Sequence, residues 1–165
     1  MRNLSTMGFY QPLPTQPNVA LVYDSASRQN RNKWSTVGGN PLPTFEPGGK
    51  TILYRTSATA TDSMGILTLG ANDGIRYRSF YWIYFAIAYS FSTTLLYVWS
   101  TYNTFNVVYS AGAGYVGNTA HNTIGAGDAN NELRISFTSS GTLPTTLALA
   151  RLVVTHVTEL DSFRR

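Results

Sequence analysis

Phe80-Tyr81-Trp82-Ile83-Tyr84-Phe85-Ala86-Ile87-Ala88-Tyr89-Ser90-Phe91, followed closely by Leu95-Leu96-Tyr97-Val98-Trp99, is the stretch whose reading decides the fold. A membrane-crossing helix needs about 20 mainly apolar residues, and Phe80 to Ser100 offers that length. The window, however, holds Ser90, Ser92, Thr93, Thr94 and Ser100 and is dominated by aromatic rings. Aromatic side chains pack well on a pleated surface, so strands fit better than a helix. With a two-residue period, one face presents Ile75, Tyr77, Ser79, Tyr81, Ile83, Phe85, Ile87, Tyr89 and Phe91. The other presents Arg76, Arg78, Phe80, Trp82, Tyr84, Ala86 and Ala88. An antiparallel sheet with one face in water is polar on that face. Here both faces are apolar through the middle of the strand, so both are expected to be covered, the outer one by another subunit. The same two-sided texture returns in Leu147-Ala148-Leu149-Ala150-Arg151-Leu152-Val153-Val154.

Outward from this stretch, short apolar or alternating runs separated by Gly, Asn, Asp and Ser predict strands near 51–56, 64–69, 75–90, 93–101, 106–110, 131–138 and 146–158, with 19–23 as an eighth. No segment keeps a 3.6-residue period. Ala71-Asn72-Asp73-Gly74 lies between two of the runs, and Asp-Gly supplies the positive-φ geometry of a tight hairpin. Residues 111–130, rich in Gly, Ala and Asn, read as a long loop that carries contacts. Prolines at 12, 14, 17, 41, 43 and 47 make residues 1–50 an extended arm ahead of a sandwich domain at 51–165, because each proline removes a donor and biases its predecessor toward extended geometry.

Composition narrows the class. The 165 residues suit one core, and without cysteine there is no disulfide framework, thiolate metal site or thiol nucleophile. Charged residues make up 12%, about half the share usual in soluble domains, while aromatic residues reach 13%. A polar but weakly charged surface suits a protein packed against neighbours, since charges at the centre of a contact must be desolvated. The net charge is +4, of which the first fifty residues hold +3 through Arg2, Arg28, Arg31, Lys33 and Lys50 against Asp24 and Glu46. Packaging arms carry denser basic runs, so contact with nucleic acid has only weak support. Met1-Arg2-Asn3-Leu4 leads into no apolar signal region, and Asn3-Leu4-Ser5 matches a glycosylation acceptor by chance.

The motifs that could carry chemistry are few. Gly112, Gly114 and Gly117 match G-x-G-x-x-G, but a pyrophosphate cradle also needs a following helix, and Asn118-Thr119-Ala120-His121-Asn122 is not one. His121 and His156 are the two histidines; His156, flanked by Thr155 and Val157, reads as a sheet or interface residue and His121 as a loop residue. Glu159 and Asp161 are the one close carboxylate pair, and beside Arg164 and Arg165 they read as surface ion pairs rather than the spaced acids of a glycosidase. Trp99, Tyr102, Phe105, Tyr109 and Tyr115 could make an aromatic platform for stacking sugars, or serve as ordinary core and interface rings. No catalytic, cofactor-binding or metal-ligating residue is therefore assigned, and the chain is expected not to be an enzyme.

Eight short strands, an extended arm, low charge, no cysteine and two-sided apolar strands together resemble the small single-jelly-roll proteins of virus particles. The resemblance implies an all-β antiparallel β-sandwich, an eight-stranded jelly roll. It also implies a capsid, minor-capsid or vertex protein of the virion, with copies of itself and other virion proteins as partners and no membrane span. The alternative is a receptor- or carbohydrate-binding head of a phage tail fibre or spike, with function in the loops at 101–105 and 111–130. On the assembly reading, deleting residues 2–47 should leave the sandwich folded but abolish assembly.

Overall fold

A computed structural model describes residues 19–27, 31–56, 63–93, 95–100, 104–108 and 119–157. Eleven strands are found there: β1 (Val19–Asp24), β2 (Trp34–Ser35), β3 (Thr44–Phe45), β4 (Thr51–Arg55), β5 (Gly65–Leu69), β6 (Phe80–Phe91), β7 (Leu95–Trp99), β8 (Thr104–Val108), β9 (Thr119–Ala126), β10 (Leu133–Ser140) and β11 (Thr145–Val157). The helical elements among the described residues are three 3₁₀ turns, and no helix there is long and apolar enough to cross a membrane. One sheet runs β3-β4-β11-β6-β9, with β1 also paired to β11; the other runs β2-β5-β10-β7-β8. Taken from β4 to β11, the two sheets are 4-11-6-9 and 5-10-7-8, the strand order of a jelly roll. Between them lies one apolar core centred on Leu53, Leu67, Tyr81, Ile83, Phe85, Phe137, Leu149 and Leu152.

The long strand β6 follows its two-residue period only as far as Ile87. Tyr81, Ile83, Phe85 and Ile87 are fully buried, as alternation requires. The register against β11 then shifts between Ala148 and Leu149 and again between Leu149 and Arg151. These bulges add a residue and turn the following side chains over, so Ser90 points into the core and Phe91, expected on the core face, is 53% exposed. Upstream, residues 75–79 are not strand. Ile75 is buried, but Tyr77 is exposed and Arg78 sits at φ 64.

The Asp-Gly turn also departs from expectation. Gly74 does take the left-handed conformation, at φ 100, but it closes a 3₁₀ turn over Ala71–Asp73. The flanking strands β5 and β6 belong to opposite sheets, so the turn passes the chain across the sandwich and is not a hairpin. Asp73 fixes it, its Oδ2 accepting from the Gly70 amide at 2.8 Å and from Lys33 Nζ at 2.9 Å.

The described part of the first fifty residues packs into the sandwich. Tyr23 and Trp34 are buried, and Trp34 Nε1 donates to the Tyr23 hydroxyl at 3.2 Å while its ring stacks on Phe137 at 6.2 Å. Asp24 takes a two-pronged bond from Arg151, Nε to Oδ1 at 3.1 Å and Nη2 to Oδ2 at 2.6 Å. That bond holds the Asp24 carboxyl below its ordinary range. Tyr23 and Trp34, which lie between Pro17 and Pro41 in the sequence, thus insert into the core.

A further correction concerns residues 119–126, expected inside a loop. They form β9, zipped along β6 from Phe80 beside Ala126 to Ile87 beside Thr119. Glycine serves packing here: a Cβ on Gly125 would stand 2.8 Å from Leu133 Cδ1 and 3.0 Å from Ile83 Cδ1.

Candidate functional site

Alternation in β7 aims Leu96 and Val98 into the core and leaves Tyr97 and Trp99 on the outer face of the second sheet. The two rings lie 6.2 Å apart with 31° between their planes, and Trp99 remains 48% exposed. Ser136 of β10 stands beside Trp99 in register, and Arg134 lies one step further along the same face. The connection from β9 to β10 rises next to this row and walls it. The result is a cleft of about 400 Å³ lined, among the described residues, by Trp99, Ser100, Asp128, Asn130, Glu132, Arg134 and Ser136.

Backbone bonds hold the wall. Asp128 Oδ1 accepts from the amides of Asn130 at 2.8 Å and Glu132 at 3.0 Å, and the Asp128 amide donates back to the Glu132 carbonyl at 2.9 Å. Asn131, at φ 57, closes the turn, and its Oδ1 accepts from the Tyr77 amide at 3.0 Å. Asparagine tolerates the left-handed region because it has a short polar side chain. Glu132 Oε1 meets Arg134 Nη2 at 3.4 Å, with the Arg134 side chain well exposed. On the floor, Ser100 Oγ donates to the Ile124 carbonyl at 3.3 Å, tying the cleft to β9. A flat exposed indole edged by two carboxylates, an amide, a guanidinium and a hydroxyl can stack an apolar face and hydrogen-bond its rim.

Of the residues flagged for stacking, Trp99 is in this cleft. Phe105 pairs with Val98 in register on β8, and Tyr102, Tyr109 and Tyr115 lie outside the described residues. Gly112, Gly114 and Gly117 also lie outside them, and the described chain that follows is strand β9 rather than a phosphate-facing helix. His121, expected in a loop, sits on β9 with its ring 5.3 Å from Phe85, and burial lowers its pKa below the ordinary histidine value. His156 stacks on Tyr81 at 5.1 Å. Glu159 and Asp161 are beyond the described residues, among which no group of three or more His, Cys, Asp or Glu could hold a metal. The polar rim of Asp128, Asn130, Glu132, Arg134 and Ser136 was not legible as a site, because it draws on a turn and a strand that converge only once β10 lies beside β7.

A second exposed feature lies on the outer face of the first sheet. Leu21 and Trp82 stand either side of Thr155 in one register row, and Trp82 continues to Ile124. Leu21 is 59% and Trp82 39% exposed. On this same face Tyr84 and Val153 are half-buried within the chain, and Trp82 is exposed.

No family model matches the sequence, and no curated protein matches it. Solved structures do share its architecture. The CBM22-1 xylan-binding domain of Paenibacillus barcinonensis Xyn10C superposes with a TM-score of 0.51 at 14% identity, covering 83% of this chain and 94% of that one. The CBM22-1 and GH10 modules of the Clostridium thermocellum endo-1,4-β-D-xylanase 10B, complexed with xylohexaose, give 0.54 at 12% identity over 83% of this chain and 28% of that one. The enzymatically active domain of bacteriophage CBA120 tailspike protein 4 gives 0.47 at 11% identity, over 78% of this chain and 20% of that one. For the two CBM22-1 structures, at these identities, the likeness is one of fold, a β-sandwich of the jelly-roll kind.

Proposed function

We propose that the chain is a carbohydrate-binding β-sandwich, of the kind carried as a receptor-binding head by a phage tail fibre or spike, and that it acts by binding rather than by bond cleavage. The observation that carries this reading is the exposed indole of Trp99 in a cleft edged by fixed polar groups. A pyranose has an apolar C–H face and a rim of hydroxyls, and the cleft offers a partner to each. The fold it shares with a xylan-binding domain is consistent with such a role, though function does not follow from fold alone. Trp99→Ala should weaken binding of a recognised oligosaccharide about 30-fold, equivalent to roughly 2 kcal/mol for loss of a central aromatic anchor. Glycan-array screening followed by calorimetry reads this directly; unchanged affinity in the variant would remove the cleft from the binding site.

The row Leu21, Trp82 and Ile124 supports a second reading, in which the outer face of the first sheet packs against other copies in a virion shell. Light scattering should then find assemblies larger than one chain that Trp82→Lys disperses. A wild-type protein monomeric at high concentration would exclude that reading.

A further inference from the structure

The cleft differs in charge from the chain around it. The protein carries +4 overall, whereas Asp128 and Glu132 against Arg134 leave this cleft with a formal charge of −1. Two backbone amides hold the Asp128 carboxylate through its Oδ1. Among the described lining residues the one cation, Arg134, is already shared with Glu132 at 3.4 Å. A carboxylate-bearing sugar stacked on Trp99 would bring a like charge against the fixed carboxylate of Asp128. Sugar hydroxyls meet no such opposition, since an ionised carboxylate is a pure acceptor and forms short, strong bonds with O–H donors.

Resting on the carbohydrate reading above, we infer that the Trp99 cleft selects neutral glycans and discriminates against those bearing carboxylates. The wall of Asp128 and Glu132 sets the sign of the selection, and Trp99 supplies stacking energy common to both ligand classes. Tyr97, next to Trp99 on the same strand, extends the stacking surface along β7.

The test is calorimetry with a neutral oligosaccharide and its uronic-acid counterpart of equal length, on the wild-type chain, Glu132→Gln and Trp99→Ala, at low and high salt. The neutral sugar should bind wild type at least about tenfold more tightly, with the gap shrinking as salt screens the repulsion. Glu132→Gln, which removes one carboxylate and releases Arg134, should narrow the gap several-fold, raising affinity for the acidic sugar relative to the neutral one. Equal or tighter binding of the acidic sugar to wild type overturns the selectivity while leaving a carbohydrate site in place, provided Trp99→Ala weakens both ligands. A preference that Glu132→Gln does not change overturns the assignment to the carboxylates. If no neutral or acidic glycan binds wild type, the carbohydrate reading falls and the selectivity with it.

Discussion

Asp24 and Arg151 meet across the seam between the first and last strands of one sheet, and their pairing gives the stability of that seam a pH signature. The Asp24 side chain is nearly buried, whereas that of Arg151 is half exposed, so part of the attraction is screened by water. Because the folded carboxyl titrates below its ordinary 3.8, chiefly through the Arg151 hydrogen bond, its contribution is complete above that pH and is lost as pH falls through the folded value. Asp24→Asn should cost about 1–2 kcal/mol at neutral pH, and the difference from wild type should narrow below about pH 4. Urea unfolding at pH 7 and pH 3 measures both; a difference that stays constant with pH would show that the pair contributes nothing through charge. His121 acts in the same direction at higher pH. Its depressed pKa favours the folded state above 6.5, a benefit that fades as acid protonates the ring.

At the scale of elements, strands with strong side-chain patterns were legible and strands patterned by the opposite sheet were not. β4, β5, β7, β10 and β11 lie where alternating or continuous apolar runs predict them, within a few residues. β9 is hidden because it runs along the edge of its sheet, where the core side needs little volume. Thr123 and Gly125 fill its inward positions and Asn122 faces out, a composition that reads as loop. The bulges of β6 against β11 were equally invisible, since an added residue per strand leaves no mark in composition yet reverses the facing of Ser90 and Phe91. The candidate site was half legible. Trp99 is among the rings the sequence offers for stacking, whereas the turn Asp128–Glu132 could be placed beside it only once the strand order was known.

For the whole molecule, the boundary between arm and sandwich has mechanical content. β1 closes the first sheet against β11, and Tyr23 and Trp34 fill the core. Removing residues 2–47 would take both rings out and leave Phe137 without its stacked partner. Loss of large buried aromatics costs about 3–5 kcal/mol each, which is comparable with the whole stability of an ordinary domain. The truncated chain should therefore fail to fold as judged by near-ultraviolet circular dichroism and thermal melting. A cooperative melt close to that of wild type would instead restore the picture of a separable arm, in which the same deletion leaves the sandwich intact.

The place of β11 at the heart of its sheet also governs how the protein can be made. β4 and β6 are not paired with each other; each pairs with β11, the last of the described strands to leave the ribosome. Until Val157 has emerged, the nascent chain holds two strands with open hydrogen-bonding edges and no template between them. Unpaired edges invite pairing with other chains, and non-local closure of this kind is slow. Closure of the sheet thus waits on β11, and mispairing between neighbouring nascent chains is most costly before it emerges.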